Sequence, residues 1–285
     1  MALVDSHAHL DFPTSLSNGE FRGTSADDLN GWLERAKDEG VNKIICVGTS
    51  IEASRKCIEI AERYSSPDLQ IYATVGIHAQ DGKDDVGNAG SLLQCFKTLK
   101  QIATSSGKVV AIGECGYDFY LDGEKRIKMV DKDRQFQKKL FEAQIRLAAE
   151  LDLPLVVHCR NAWKKTFSLL STVYGLPTRT GVFHSWTGDW EAAQKVIELG
   201  FYISFSGIVT FDNAPDVQDV ASRMPLDKML LETDSPFLSP VPFRGLGNEP
   251  KNVKIIAEFV AKLRNLSVGQ IEEVTSKNAQ RLFGI

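Results

Sequence analysis

Residues 134–158 read RQFQKKLFEAQIRLAAELDLPLVVH, a helix signal followed directly by a strand signal. Across 134–151 apolar side chains keep the three- or four-residue spacing of an amphipathic helix, at Phe136, Leu140, Ala143, Leu147 and Leu151. Asp131 or Asp133 is a candidate cap for this helix, and Pro154 follows its end. The apolar runs 109–114 and 154–158, on either side of the helix, have strand character. The region therefore predicts a parallel β-α-β unit.

Strand character recurs along the whole chain in eight short apolar runs, at 3–10, 43–48, 71–77, 109–114, 154–158, 181–184, 201–205 and 229–232. Helical periodicity lies between most of them, and the last helix is expected to start at Ser267, with Gln270 placed for a capping box. Eight such units favour a closed barrel over an open sheet. The length of 285 residues is near the roughly 250 of a (β/α)8 barrel. We therefore expect one (β/α)8 TIM-barrel domain spanning 1–285.

Three polar segments, 14–28, 80–91 and 117–131, read as βα loops. In a barrel such loops form the active-site face. No G-x-G-x-x-G follows the first strand, which removes the simplest dinucleotide-binding fold.

Composition narrows the classes of function. The net charge is -4, so no general basic surface indicates a nucleic-acid-binding module. An enzyme whose bound cations supply positive charge locally remains compatible with this value. The five cysteines are widely spaced and contain no C-x-x-C pair, which indicates a reducing compartment. With no signal peptide and no apolar span of about 18 residues, we expect a cytoplasmic or nuclear protein without a membrane partner.

All five histidines fall within or at the end of a predicted strand: His7, His9, His78, His158 and His184. Barrel active sites are built at the carboxyl ends of the strands. His7 and His9 form an H-x-H pair, and alternate residues of a strand point to the same face, so both can bind one ion. Asp5 and Asp11 have the same parity.

Matching groups end other predicted strands. Glu114 ends the fourth, His158 the fifth and His184 the sixth, and Asp234 follows the eighth. Imidazoles with carboxylates suit Zn²⁺, Mn²⁺ or similar ions, and six such groups are enough for two ions.

Seven ordered motifs carry a resemblance to a known family: VDSHAHLD, VGIHA, AIGECGYDFY, PLVVHCRNAW, FHSWTGD, ISFSGIVTF and LLETDSPFLSPVPFRG. With NEP following the last motif and NAQRLFG near the end, the chain resembles the TatD family of metal-dependent deoxyribonucleases from about residue 3 to 284. The resemblance implies that one metal ion is held by His7, His9 and Asp234. It implies that a second, of which Mg²⁺, Mn²⁺ and Zn²⁺ are the candidates, is held by His158 and His184, and that Glu114 bridges both.

The resemblance also places His78 and Arg160 near the substrate phosphate. His78, Glu114 and Asp234 are the candidate catalytic residues; Asp234 would orient the nucleophile or take its proton, and His78 would serve the phosphate or the leaving group. An orienting role for His78 stays open. Arg160 and Arg244 are candidate phosphate anchors. Candidate base-stacking residues follow the fourth and sixth strands, at Tyr117, Phe119, Tyr120 and Trp186, with loop packing as the alternative for Phe119 and Trp186.

These expectations describe a two-metal nuclease that hydrolyses DNA, with RNA as a second substrate, acts as a 3′–5′ exonuclease on single-stranded or frayed ends, and is a monomer. The alternative is another ester or amide hydrolase on the same barrel, an aminoacyl-tRNA deacylase or an amidohydrolase. Many amidohydrolases bridge two metals with a modified lysine at the end of strand 4, where this chain has Glu114 and no lysine in 110–119. A nonenzymatic binding barrel has no physical need for six converging metal-binding groups.

Overall fold

The computed structural model describes residues 3–11, 14–15, 21–22, 26–120, 131–173 and 180–285. Eight parallel strands follow one another in a single sheet: β1 (Leu3–Ala8), β4 (Val41–Cys46), β5 (Gln70–Val75), β6 (Val109–Asp118), β7 (Leu155–Arg160), β8 (Gly181–Phe183), β9 (Tyr202–Phe205) and β10 (Met229–Leu231). A separate antiparallel pair consists of β2 (Thr14–Ser15) and β3 (Phe21–Arg22).

Backbone hydrogen bonds join the last strand to the first. The amide of Asp234 donates to the carbonyl of His7 at 2.9 Å, and the amide of His9 donates to the carbonyl of Ser235 at 2.8 Å. Ala8 and Ser235 form a parallel bridge at the same place. The predicted (β/α)8 TIM barrel is confirmed.

Helices occupy the connections between the strands: α1 (Ala26–Asp38), α2 (Ile51–Tyr64), α3 (Gly82–Asn88), α4 (Leu92–Ala103), α5 (Asp131–Leu151), α6 (Trp163–Thr172), α7 (Trp190–Glu198), α8 (Pro215–Arg223), α9 (Val253–Arg264) and α10 (Val268–Phe283). The predicted start of the last helix is confirmed, because Ser267 caps α10 in a capping box with Gln270. Over the described residues, no helix combines the length and apolar character needed to cross a membrane.

Two of the predicted loops are partly regular. The segment 80–91 contains α3, and 14–28 contains β2, β3 and the start of α1, while 12–13, 16–20 and 23–25 lie outside the described residues. The expected end of the fourth barrel strand at Glu114 is wrong. Strand β6 continues to Asp118, because Tyr117 and Asp118 pair with Cys159 and Arg160 of β7. Residues 121–130 of the predicted third loop lie outside the described part of the chain.

The core has two compartments that explain where the histidines point. On β7, Val156 belongs to a small cluster of side chains from the barrel strands, and Val157 to the larger core that includes the helices. Val182 and Phe183 divide in the same way on β8. Since side chains alternate along a strand, His158 and His184 continue the face of Val156 and Val182. The histidines therefore stand above an apolar layer inside the barrel.

Gly116 permits the close pairing of β6 with β7. Its φ is +144°, and a Cβ built there would lie 1.9 Å from the carbonyl oxygen of His158. That approach is possible only without a side chain. The backbone that carries His158 is thus fixed against the neighbouring strand.

We predict that Gly116→Ala lowers the free energy of unfolding by about 2–4 kcal/mol, because β6 and β7 must separate to admit the methyl group. The control is Gly107→Ala, where an added Cβ meets nothing within 4 Å; it should change stability by about 0.5 kcal/mol or less. Urea unfolding of both variants and the parent measures the difference. Equal stabilities of the two variants would contradict the prediction.

Candidate metal centre

The six side chains predicted to bind metal meet at the carboxyl end of the barrel. His7, Glu114 and His158 lie on β1, β6 and β7, whereas His9, His184 and Asp234 follow β1, β8 and β10. Five of the six are less than 9% exposed, and His158 is slightly more open, with 17% of its side chain exposed. Such burial of polar groups is tolerated only where they are paired or coordinate a metal.

The first group of ligand atoms comes from β1 and the segment after β10. The Nε2 atoms of His7 and His9 lie 3.2 Å apart. Asp234 Oδ1 lies 3.4 Å from His7 Nε2 and 3.3 Å from His9 Nε2. His9 Nδ1 lies 3.2 Å from the carbonyl of Val47, which can only accept a hydrogen bond, so Nε2 is left for a cation.

The second group comes from β7 and the end of β8. His158 Nδ1 and His184 Nε2 lie 3.1 Å apart. Each of these nitrogens is 2.9 Å from Glu114 Oε1. Glu114 Oε2 faces the other way and lies 3.5 Å from His7 Nε2 and 3.7 Å from His9 Nε2. The two oxygens of one carboxylate therefore serve two separate sets of histidines.

These residues fit divalent cations. Two ligand atoms that share an ion at about 2.0–2.1 Å lie roughly 3–3.4 Å apart, and the pairs within each group match this separation. His7, His9 and Asp234 form one cluster with mutually close donor atoms, and His7, Glu114 and His184 form another. His7 Nδ1 and His184 Nδ1 are buried without a hydrogen bond, so the outer shell of the centre is incompletely paired.

Electrostatics also favour a cationic occupant. Burial raises the pKa of Glu114, but His184, His158 and His7 outweigh it and hold that pKa well below its usual value. Burial likewise raises the pKa of Asp234, and His9 and His7 reverse the effect and lower it. Both carboxylates are thus ionised inside the barrel, where opposite charge must compensate them.

His78 stands beside the centre. It follows β5, its Nε2 lies 3.7 Å from Glu114 Oε1, and its ring centroid is 4.6 Å from that of His158. Burial lowers the pKa of His78 to about 4. It forms a third cluster of possible donors with Asp118 and His158.

Asp118 is a site residue that the sequence reasoning missed. Its Oδ2 lies 3.4 Å from His158 Nε2 and accepts a hydrogen bond from Gln80 Nε2 at 2.7 Å, while its Oδ1 accepts from the amide of Tyr120 at 2.8 Å. Asp118 therefore faces the ring nitrogen of His158 that points away from Glu114, an arrangement that sets the orientation of a metal-binding histidine. The signal was parity, because residue 118 shares the face of Glu114 once β6 is extended.

Glu232 and Asp5 support the centre from below. Glu232 Oε1 accepts from the amide of Ser185 at 2.7 Å and lies 3.4 Å from His184 Nδ1. Asp5 accepts from the amide and hydroxyl of Thr233 at 2.8 and 2.6 Å, directly before Asp234. Asp11, the other acid on the predicted face, forms a separate cluster with Cys46 and Cys57.

The expected substrate residues divide into two sets. Arg160 lines a cavity of about 510 Å³ together with His158, His184 and Asp234. Its guanidinium lies 3.5 Å from the ring centroid of Tyr120, which lines the same cavity. Arg244 instead lies over the Phe211 ring, at 4.1 Å, and donates to Asn213 at 3.3 Å.

Tyr117 and Trp186 are not placed on the rim where we expected them. Tyr117 is 3% exposed and packs against Phe141, because the extended β6 turns it toward the helices. Trp186 is 1% exposed and packs against Trp163 with ring centroids 4.6 Å apart. Burial thus favours the loop-packing alternative for Trp186. Phe119 is half-buried and lies 5.4 Å from the Tyr117 ring.

Comparison with known proteins agrees with this geometry. A family described as TatD related DNase matches residues 4–284. The chain belongs to the TatD family. The uncharacterized metal-dependent hydrolase YabD of Bacillus subtilis is 37% identical over 283 residues, 99% of both chains. The uncharacterized metal-dependent hydrolase YcfH of Escherichia coli K12 is 35% identical over 285 residues, 100% of this chain and 97% of YcfH.

Solved structures give the same relation. The crystal structure of the TatD homolog YjjV from Escherichia coli has a TM-score of 0.83 at 28% identity and is matched over 99% of this chain and 98% of YjjV. An organophosphorus hydrolase from Deinococcus radiodurans, with a TM-score of 0.63 at 16% identity over 99% and 93% of the two chains, shares the fold alone. This TatD-family chain is a metal-dependent hydrolase, and its clustered donors support the use of divalent cations.

The positions of His78 and His158 predict different losses. His158→Ala should lose metal and activity together, because His158 Nδ1 belongs to the second group of ligand atoms. His78→Ala should keep the metal content of the parent and slow turnover by about 10²–10⁴-fold, the contribution of a positioned proton donor or acceptor. Elemental analysis and turnover at saturating metal measure both. A loss of metal from His78→Ala equal to that from His158→Ala would make His78 a ligand.

Asp118→Asn should weaken metal binding about 10–100-fold, the effect typical of removing an outer partner of a ligand. The new amide cannot accept from Gln80, Tyr120 and His158 at once. Calorimetric titration of the metal-free protein with Mn²⁺ measures the affinity. Asp219→Asn is the control, since Asp219 pairs only on the surface of α8, at 3.0 Å from Arg223. Parent-like affinity in Asp118→Asn would remove the positioning role.

Proposed function

We propose that this TatD-family hydrolase cleaves phosphodiester bonds of DNA, with RNA as a second substrate, at a centre of two divalent cations. The observation that carries the proposal is Glu114, whose two oxygens face separate sets of histidines, at 2.9 Å on one side and 3.5–3.7 Å on the other. His7, His9 and Asp234 would hold one cation. His158 and His184 would hold the other, with Glu114 shared. Mg²⁺, Mn²⁺ and Zn²⁺ are the candidate ions.

The chemistry suits a phosphodiester. Paired cations lower the pKa of water and neutralise charge on phosphoryl oxygens. Asp234 uses Oδ1 toward the two histidines and lines the open cavity, so Oδ2 is our candidate to orient the attacking water and accept its proton. Arg160, exposed in the same cavity, would hold the phosphate in bidentate fashion. His78 would donate to the phosphate or the leaving group.

Single-stranded or frayed ends are the substrate form that the cavity favours. The net charge of -4 gives little attraction for wrapping a duplex. The aromatic and basic side chains near the centre offer contacts to one strand only. The 3′–5′ direction of an exonuclease rests on the family resemblance.

The test is a time course on end-labelled single- and double-stranded oligonucleotides and on a closed circular duplex. We expect complete loss of cleavage with chelator, its return with added divalent ion, and a Glu114→Ala variant that stays inactive at saturating metal. Shortening should proceed from the 3′ end of the single strand, and the closed circle should resist. Full activity after chelation would refute metal dependence, and rapid cutting of the closed circle would refute the end preference.

A further inference from the structure

A second cavity adjoins the cavity over the metal centre. It measures about 470 Å³, compared with about 510 Å³ for the first. Both are lined by Asn161 and Trp163, at the start of α6. We call the second cavity the α6–α7 groove; Phe119, Phe167 and Lys195 are among its other lining residues. A chain leaving the metal centre past Trp163 enters this groove.

Trp163 is held rigidly between the two cavities. Its ring lies 4.6 Å from that of Trp186 and 6.1 Å from those of Phe167 and Phe183, measured between centroids. Gly188 keeps the space beside the paired indoles open, since a Cβ there would lie 2.6 Å from Trp186 and 3.0 Å from Trp163. A half-buried, preorganised indole is the kind of surface on which an unpaired base stacks.

The nearby aromatic rings are already engaged by cations. Arg160 lies 3.5 Å from the centroid of the Tyr120 ring, and Arg134 lies 5.3 Å from that of Phe119. Each guanidinium covers one face of its ring. Over the described residues, no arginine or lysine is placed over the ring of Trp163 in this way. Trp163 is therefore the stronger candidate for stacking.

The charge of the groove is complementary to a phosphate chain. Lys164 and Lys165 are exposed and line it. The acids nearby are engaged elsewhere: Asp189 accepts from the amide of Ala192 at 2.8 Å to cap α7, and Glu191 pairs with Lys195 at 2.6 Å. Among the ion pairs of the described residues, none involves Lys164 or Lys165. Two lysines are thus available to a polyanion.

We propose that the α6–α7 groove binds the nucleotide adjacent to the scissile phosphodiester of a single strand, with its base stacked on Trp163 and its phosphate held by Lys164 and Lys165. This inference rests on the proposed nuclease function. A base within a duplex is covered on both faces by its neighbours, so only an unstacked nucleotide can occupy the site. The groove would thereby select single strands, while the metal centre acts on any phosphodiester.

The experiment compares kcat/KM for a single-stranded hexanucleotide with kcat/KM for bis(p-nitrophenyl) phosphate, a phosphodiester without a base. In Trp163→Leu the ratio of the two should fall about tenfold, within the range of one base–aromatic stack. Trp163→Phe should restore most of the ratio. Lys164→Ala/Lys165→Ala should lower the ratio and reduce the salt dependence of hexanucleotide binding by about 0.7 per phosphate contact. Binding is measured by fluorescence anisotropy with a phosphorothioate hexanucleotide.

The control is Lys138→Ala/Lys139→Ala, which removes an exposed lysine pair from α5. It should keep the parent ratio and salt dependence. A parent-like ratio in both Trp163→Leu and the Lys164 and Lys165 variant would overturn the proposal while leaving the nuclease function intact. If the parent cleaves bis(p-nitrophenyl) phosphate but no oligonucleotide, the proposed function itself fails. Should Trp163→Leu unfold, Trp163→Phe and the lysine variant decide.

Discussion

The carboxylate of Glu114 organises the site, because its two oxygens meet four imidazole nitrogens between 2.9 and 3.7 Å away. An ionised carboxylate with little exposure is costly unless positive charge surrounds it. Histidines from three different strand ends provide that surrounding, and cations would strengthen it. Every other feature of the centre serves to hold these donors at this distance. The position of Glu114 on β6 therefore dictates where the neighbouring strands must end.

The barrel meets this demand through its layers. Val156 and Val182 form part of the apolar layer, and His158 and His184 follow two residues later on the same faces. The apolar layer excludes water from below, so the ligand atoms face only one another and the cavity above. Gly116 lets β6 approach β7 closely enough to align Asp118 with His158. Packing of small and apolar residues thus determines the geometry of a polar site.

Periodicity along single strands was enough to predict the barrel and to bring six donor residues to one end of it. It failed where strand length depended on pairing. Strand β6 runs past Glu114 because β7 supplies partners for it, and that pairing is not visible in one segment of sequence. Asp118 was therefore read as part of a loop. Trp186 was expected on the rim for the related reason that its burial depends on Trp163, which comes from a different connection.

An acidic enzyme that acts on a polyanion must concentrate its positive charge where the reaction occurs. The net charge of -4 keeps the overall field unfavourable for nonspecific adsorption. Cations at the centre, Arg160 in the cavity and the unpaired lysines of α6 would reverse the field along one short path. A long duplex gains little from so short a path, whereas a strand end can place consecutive phosphates on it. Substrate form would then be selected by the spacing of local charges, with Trp163 adding the requirement that the neighbouring base be unstacked.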